Sequence, residues 1–163
     1  MAGVCYFICY MQERTFIGDL GAHVGETVSI SGWVDVRRDQ GKMVFFDFRD
    51  RSGKVQGVVL PGSAGMDVAK ELRVESVIRV EGVVNKRPEK NIQAGKQNGD
   101  IELEVKTIEV LSPSEVLPFD KDAELNLDTY LDNLPITLRR PQASATFKVQ
   151  AEIVKAYRTF LDS

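Results

Sequence analysis

The sequence predicts a mainly β chain: a five-stranded barrel with a helix between its third and fourth strands, then a linker and a C-terminal helix. Three observations lead there. Residues 43–56 (MVFFDFRDRSGKVQ) alternate apolar and polar side chains on either side of a charged turn, which marks a hairpin with one face in a core. Residues 76–86 and 100–111 repeat that alternation after a short helical pattern. The pattern then stops, because Pro113 and Pro118 interrupt the chain beyond Leu111.

Taken in order, residues 14–25 (RTFIGDLGAHVG) read as a short lead-in punctuated by Gly18, Gly21 and Gly25. Residues 26–39 are the first strand, with Val28, Ile30, Gly32 and Val34 on one face; Gly32 is expected to mark a bulge or bend. Residues 37–42 form a loop carrying Arg37, Arg38 and Lys42. In the second strand Val44, Phe46 and Phe48 face inward, and Gly53 is expected to supply a positive φ in the following turn. Residues 54–60 are the third strand, closed by Pro61-Gly62-Ser63. Residues 64–73 fit a helix with Met66, Val68, Ala69 and Leu72 inward. The fourth strand, 76–86, puts Ile78, Val80, Gly82 and Val84 on one face, and the fifth, 100–111, does so with Ile101, Leu103 and Val105. Three strands, a helix and two strands is the order of an oligonucleotide/oligosaccharide-binding (OB) barrel. The helix position disfavours an SH3-like barrel.

Composition bounds the function. The chain has 163 residues, enough for one sizeable domain and part of another. Its 43% hydrophobic and 28% charged content is that of a globular protein. A net charge of -3 argues against coating nucleic acid by bulk electrostatics but allows one basic face. With only Cys5, Cys9 and His23, no group of ligands has metal-site spacing, and a catalytic triad would depend on a single loop histidine. The apolar run MAGVCYFICY is shorter than the about 20 residues a membrane span needs and lacks a basic leader. Residues 1–12 therefore read as an N-terminal tail, with Met11 as an alternative start, and the cytoplasm as the expected location.

The chemistry points to the outward face of the hairpin. Phe45 lies there among Asp47, Arg49 and Gln56. A ring beside amide and guanidinium groups suits an unpaired base, which offers a flat surface and hydrogen-bonding edges. Residues 87–99 (RPEKNIQAGKQNG) form a polar loop in which Arg87, Lys90 and Lys96 outnumber Glu89. Together with the 37–42 loop it would put cations at the rim and base contacts in the middle.

These residues carry a resemblance. The stretch GWVDVRRDQGKMVFFDFRDRSGKVQGVV is similar to the N-terminal anticodon-binding barrel of class II aspartyl-tRNA synthetases, G-W-V-x-x-x-R-D-x-G, an apolar run, then D-x-R-D-R-x-G-x-x-Q. The similarity continues through Glu71-Leu72-Arg73, the RPEKNI loop start and Gly99–Leu103, and covers roughly residues 13–163. It implies that Phe45 stacks on an anticodon base, that Gln56 and Glu102 read bases, that Arg38 contacts the same region, and that Arg87 and Asn91 lie near the anticodon stem. A glutamine can both donate to and accept from uracil, and a carboxylate can accept from the amine of cytosine.

Beyond the barrel (13–112), residues 113–141 resemble the family's hinge, with Leu138-Arg139-Arg140-Pro141 matching its L-R-R-P. Asn133-Leu134-Pro135-Ile136-Thr137 departs from the commoner R-[YF]-L-D-L, which leaves a bacterial or archaeal-like subtype open. Residues 142–163 read as a helix whose stripe includes Phe147, Ala151, Val154, Tyr157 and Leu161, the first helix of a truncated α+β catalytic domain. The resemblance implies an aspartate–tRNA ligase as the whole protein, using ATP and Mg²⁺ on tRNA(Asp), with tRNA(Asn) left open, and working as a homodimer. Residues holding ATP are not expected in this stretch, nor is any catalytic residue, cofactor or metal. Alternatives are a fragment of an asparaginyl or lysyl enzyme, a general single-strand-binding barrel, or an adaptor for protein contacts.

Overall fold

The structure, a computed structural model, describes residues 13–120 and 123–162. The tail read at 1–12 lies outside them. The chain divides into two compact units, Met1–Val116 and Leu117–Ser163, and the division falls within the stretch read as a linker.

In the first unit the strands are β1 (Thr27–Gln40), β2 (Met43–Arg49), β3 (Lys54–Val59), β4 (Val77–Lys86) and β5 (Ile101–Ser112), with helix α1 (Met66–Glu71) between β3 and β4. They close a barrel in the order β1-β2-β3-β5-β4. The β3–β5 pair is parallel and the other neighbours are antiparallel. The alternation that predicted the strands is what fills the barrel. Val44, Phe46 and Phe48 are buried while Met43, Phe45, Asp47 and Arg49 are half-exposed. Phe46 and Phe48 stack with ring centroids 5.4 Å apart, and Ile30, Ile78, Val80, Ile101 and Leu103 surround them in one core. Gly57 makes room for this packing, since a Cβ there would come within 2.3 Å of the Phe48 ring. On α1, Ala69 and the capping Leu72 are buried, and Met66 and Val68 pack at the edge of the core.

Three local expectations are corrected. The lead-in folds as a 3-10 helix, Ile17–His23, and sends Ile17 and Leu20 fully into the core, where two apolar side chains at i and i+3 share one side of the turn. Gly32 is not the bulge. It allows a close approach of β2, because a Cβ would lie 2.2 Å from the Arg49 carbonyl oxygen. The bulge follows between Val34 and Val36. Gly53 does not take a positive φ in the β2–β3 turn, whereas Gly41 does in the β1–β2 turn (+63°). Just past β5, Ser114 Oγ donates to the Val74 carbonyl at 2.6 Å.

The second unit contains α2 (Leu127–Asp132), α3 (Leu134–Thr137) and α4 (Pro141–Leu161). Asn126 caps α2 by accepting from Thr129 N at 2.8 Å. Pro135 sits in the first turn of α3, where a missing N–H is tolerated. Thr137 is buried and donates to the Tyr130 carbonyl at 3.0 Å. Helix α4 carries its apolar residues exposed, Phe147, Val154, Tyr157 and Phe160 among them. Among the described residues no helix is long and apolar enough to cross a membrane.

Candidate nucleic-acid interface

Barrel registers align the outward residues into two rows. In the first, Arg38 on β1 pairs with Phe45 on β2, Phe45 with Val58 on β3, and Val58 with Glu104 on β5. In the second, Asp47 pairs with Gln56, and Glu102 on β5 pairs with Asn85 on β4. Directly opposed residues in an antiparallel pair share a face, with Cβ atoms about 4.5–5.5 Å apart. Phe45, Gln56 and Glu102 thus belong to one outer surface, each half-exposed between buried neighbours on its strand.

The β1–β2 turn stands at the Phe45 end of this surface, since Met43 pairs with Gln40. The β4–β5 loop stands at the other end, where Gln97 Nε2 donates to the Ser52 carbonyl at 3.0 Å and Asn98 Nδ2 to that of Lys54 at 3.1 Å. The amides of Gln97 and Asn98 are thereby spent on anchoring the loop.

Of the sequence-predicted site residues, Arg38, Phe45, Gln56 and Glu102 share this face, although Arg38 lies within β1 and not in a loop. Its Nη2 donates to Asp47 Oδ1 at 2.7 Å. Arg37 is drawn away, to the Lys70 carbonyl on α1 (2.9 Å) and to Asp39 (3.0 Å). Of the expected rim cations in that segment, only Lys42 lies in the β1–β2 turn, and it is exposed. Arg87 is buried. Its Nε donates to the Ile101 carbonyl at 2.9 Å, which ties the root of the β4–β5 loop to the start of β5. Asn91 ends a short 3-10 turn, Glu89–Asn91, and is exposed on the loop, apart from the two rows.

The hairpin is held from its turn. Asp50 Oδ1 accepts from Ser52 N (2.7 Å), Ser52 Oγ (2.6 Å) and Gly53 N (3.0 Å), and its Oδ2 accepts from Ile17 N (3.0 Å). Burial pushes the Asp50 carboxyl up, but the hydrogen bonds from Ile17, Ser52 and Gly53 together outweigh it and hold the group below its ordinary value. Beside the turn the buried Asp35 bridges Arg49 Nε (2.9 Å) and Lys54 Nζ (2.7 Å), and Arg49 also pairs with Glu75 and lies 5.5 Å from the Trp33 ring centre. On β5, Glu104 is held below its usual range, chiefly by the hydrogen bond from Lys106, with desolvation opposing and the Lys106 charge and Asn85 adding to it.

Sequence reading passed over Asn85 and the Asp50 hub. Asn85 was findable, being an outward position of an alternating strand. The hub was not, because Ile17 and Asp50 are far apart in the chain. Among the described residues no three of His, Cys, Asp or Glu are grouped to hold a metal ion.

A closed five-stranded barrel with a helix between its third and fourth strands has the architecture of the OB fold, a class that binds oligonucleotides and oligosaccharides. Residues 28–111 match the model of the OB-fold nucleic acid binding domain, and the chain belongs to that family. Among curated proteins it is 39% identical over 145 residues to the aspartate–tRNA ligase of Streptococcus pyogenes, which covers 86% of this chain and 25% of that protein. It is 40% identical over 143 residues to the aspartate–tRNA(Asp/Asn) ligase of Halothermothrix orenii, covering 85% and 24%. The chain therefore spans about a quarter of the length of these relatives. Among solved structures, the aspartyl tRNA synthetase from Entamoeba histolytica superposes with a TM-score of 0.82 at 26% identity, over 99% of this chain and 40% of that one. The asparaginyl-tRNA synthetase from Pyrococcus horikoshii does so at 0.77 and 29% identity, over 93% and 36%.

Proposed function

We propose that this chain is the anticodon-reading part of an aspartate–tRNA ligase. Its barrel receives the anticodon loop of tRNA(Asp) across β2, β3 and β5. The observation that carries the reading is the grouping of Phe45, Gln56 and Glu102 on one outward surface. Phe45 offers the stacking platform, Gln56 the paired donor and acceptor that suit uracil, and Glu102 an acceptor for the amine of cytosine. Arg38 adds a cation next to the ring, while Asn91 and the loop lysines reach toward the backbone. Arg87 acts by fixing the loop that carries Asn91. The whole ligase joins aspartate to tRNA with ATP and Mg²⁺, as a homodimer, through residues other than these, and residues 1–163 alone aminoacylate nothing.

The test is a titration of the chain with RNA hairpins bearing the aspartate anticodon loop, and with hairpins altered at one loop base. The expected result is a preference for the aspartate loop that drops when its cytosine becomes uracil. Equal binding to all loops would leave a general single-strand barrel as the better account. The likeness to the Pyrococcus horikoshii enzyme favours one second reading, an asparaginyl specificity. In the genetic code the two anticodons differ in that same base, so a reversed preference would select it.

A further inference from the structure

A carboxylate sits in the middle of the reading face, and core packing does not require it there. Asp47 lies on the outward side of β2, two residues from Phe45 and directly opposite Gln56. Its Oδ1 accepts from Arg38 Nη2 at 2.7 Å, with the two side chains 27% and 44% exposed. An ion pair this open adds little to stability. An acidic group beside a polyanion also opposes binding through the phosphates. Both facts make its position informative. A base stacked on Phe45 would meet Arg38 on its β1 side and Asp47 and Gln56 on the side toward the β2–β3 turn.

We infer that Asp47 is a specificity-determining residue of this face. It holds the Arg38 guanidinium as a fixed donor, presents its own carboxylate to an amino or imino group of an unpaired base, and turns a backbone phosphate away. Arg38 then serves base recognition and not general anchoring. The inference rests on the reading proposed above, and adds that the face selects a base edge through a preformed donor–acceptor pair.

The experiment measures affinities of wild type, Asp47→Ala, Arg38→Ala and the double variant for hairpins varied at each loop base and for an unrelated single strand, at two salt concentrations. Asp47→Ala should lose about tenfold in discrimination at one loop position. The same variant should bind the unrelated strand at least as tightly and with a steeper salt dependence, because the released Arg38 pairs with a phosphate. That extra steepness should vanish in the double variant, and the thermal midpoint should stay near wild type. Uniform weakening for every RNA with a lowered midpoint would overturn the inference and make the pair structural. Uniform tightening with unchanged preference would also overturn it, leaving Asp47 as a mere mask on Arg38. A wild-type chain indifferent to loop sequence would overturn the anticodon reading itself, before any variant is compared.

Discussion

The two ends of one hairpin use the same kinds of residue for opposite purposes. At the turn, Asp50 takes four hydrogen bonds from Ile17, Ser52 and Gly53, and Asp35 binds both Arg49 and Lys54. A few residues away, Phe45, Gln56 and Glu102 stand half-exposed along the strands. Saturated polar groups fix a geometry, whereas exposed ones can exchange water for a ligand at small cost. The motif D-x-R-D-R-x-G-x-x-Q therefore mixes two jobs: Arg49, Asp50 and Gly53 build the platform, and Asp47 and Gln56 stand on it.

That contrast can be broken in several places. Phe46→Ala should have the largest effect, about 3–5 kcal/mol of stability lost from a fully buried ring, read by chemical unfolding. A loss below about 1 kcal/mol would mean that the barrel interior is not packed as described. Asp50→Ala should cost about 2–3 kcal/mol, since it leaves the Ile17 and Gly53 N–H groups without their acceptor. The same carboxylate gives a pH signature. Its folded pKa is depressed, so its contribution is complete above the unfolded value of about 3.9 and disappears as pH falls through the lower folded value. An acid titration of unfolding in which Asp50→Ala and wild type run parallel throughout would contradict this.

On the reading face the signs reverse. Phe45→Ala should weaken binding to the anticodon hairpin by about 1–3 kcal/mol while shifting stability by less than about 0.5 kcal/mol. A matching fall in both would move Phe45 into the structural group. Gln56→Ala should change affinity least and base preference most, read by comparing hairpins that differ at one base. Equal losses across all of them would remove Gln56 from the reading role.

How much of this was legible in the sequence follows from the range of each interaction. Strand faces were, because alternation is local: Val44, Phe46 and Phe48 point in, so Phe45 points out. The 3-10 segment was not, because three glycines conceal that Ile17 and Leu20 plug the core and that Ile17 N meets Asp50. Gly53 and Gly57 also escaped a local reading. One gives its N–H to Asp50 and the other makes room for Phe48, and both needs are set by neighbours in space.

The irregularity between Val34 and Val36 has a consequence of its own. Val34 is buried, and strict alternation from it would turn Arg38 toward the barrel axis and Arg37 outward. One surplus residue reverses the parity, so that Arg37 stands opposite Phe46 and Arg38 opposite Phe45. The first strand thus behaves like a frame-shifted message whose meaning downstream depends on a single inserted letter. Were the same residues paired without that irregularity, the composition would be unchanged, yet the arginine beside Phe45 and the arginine turned to the helix would be exchanged.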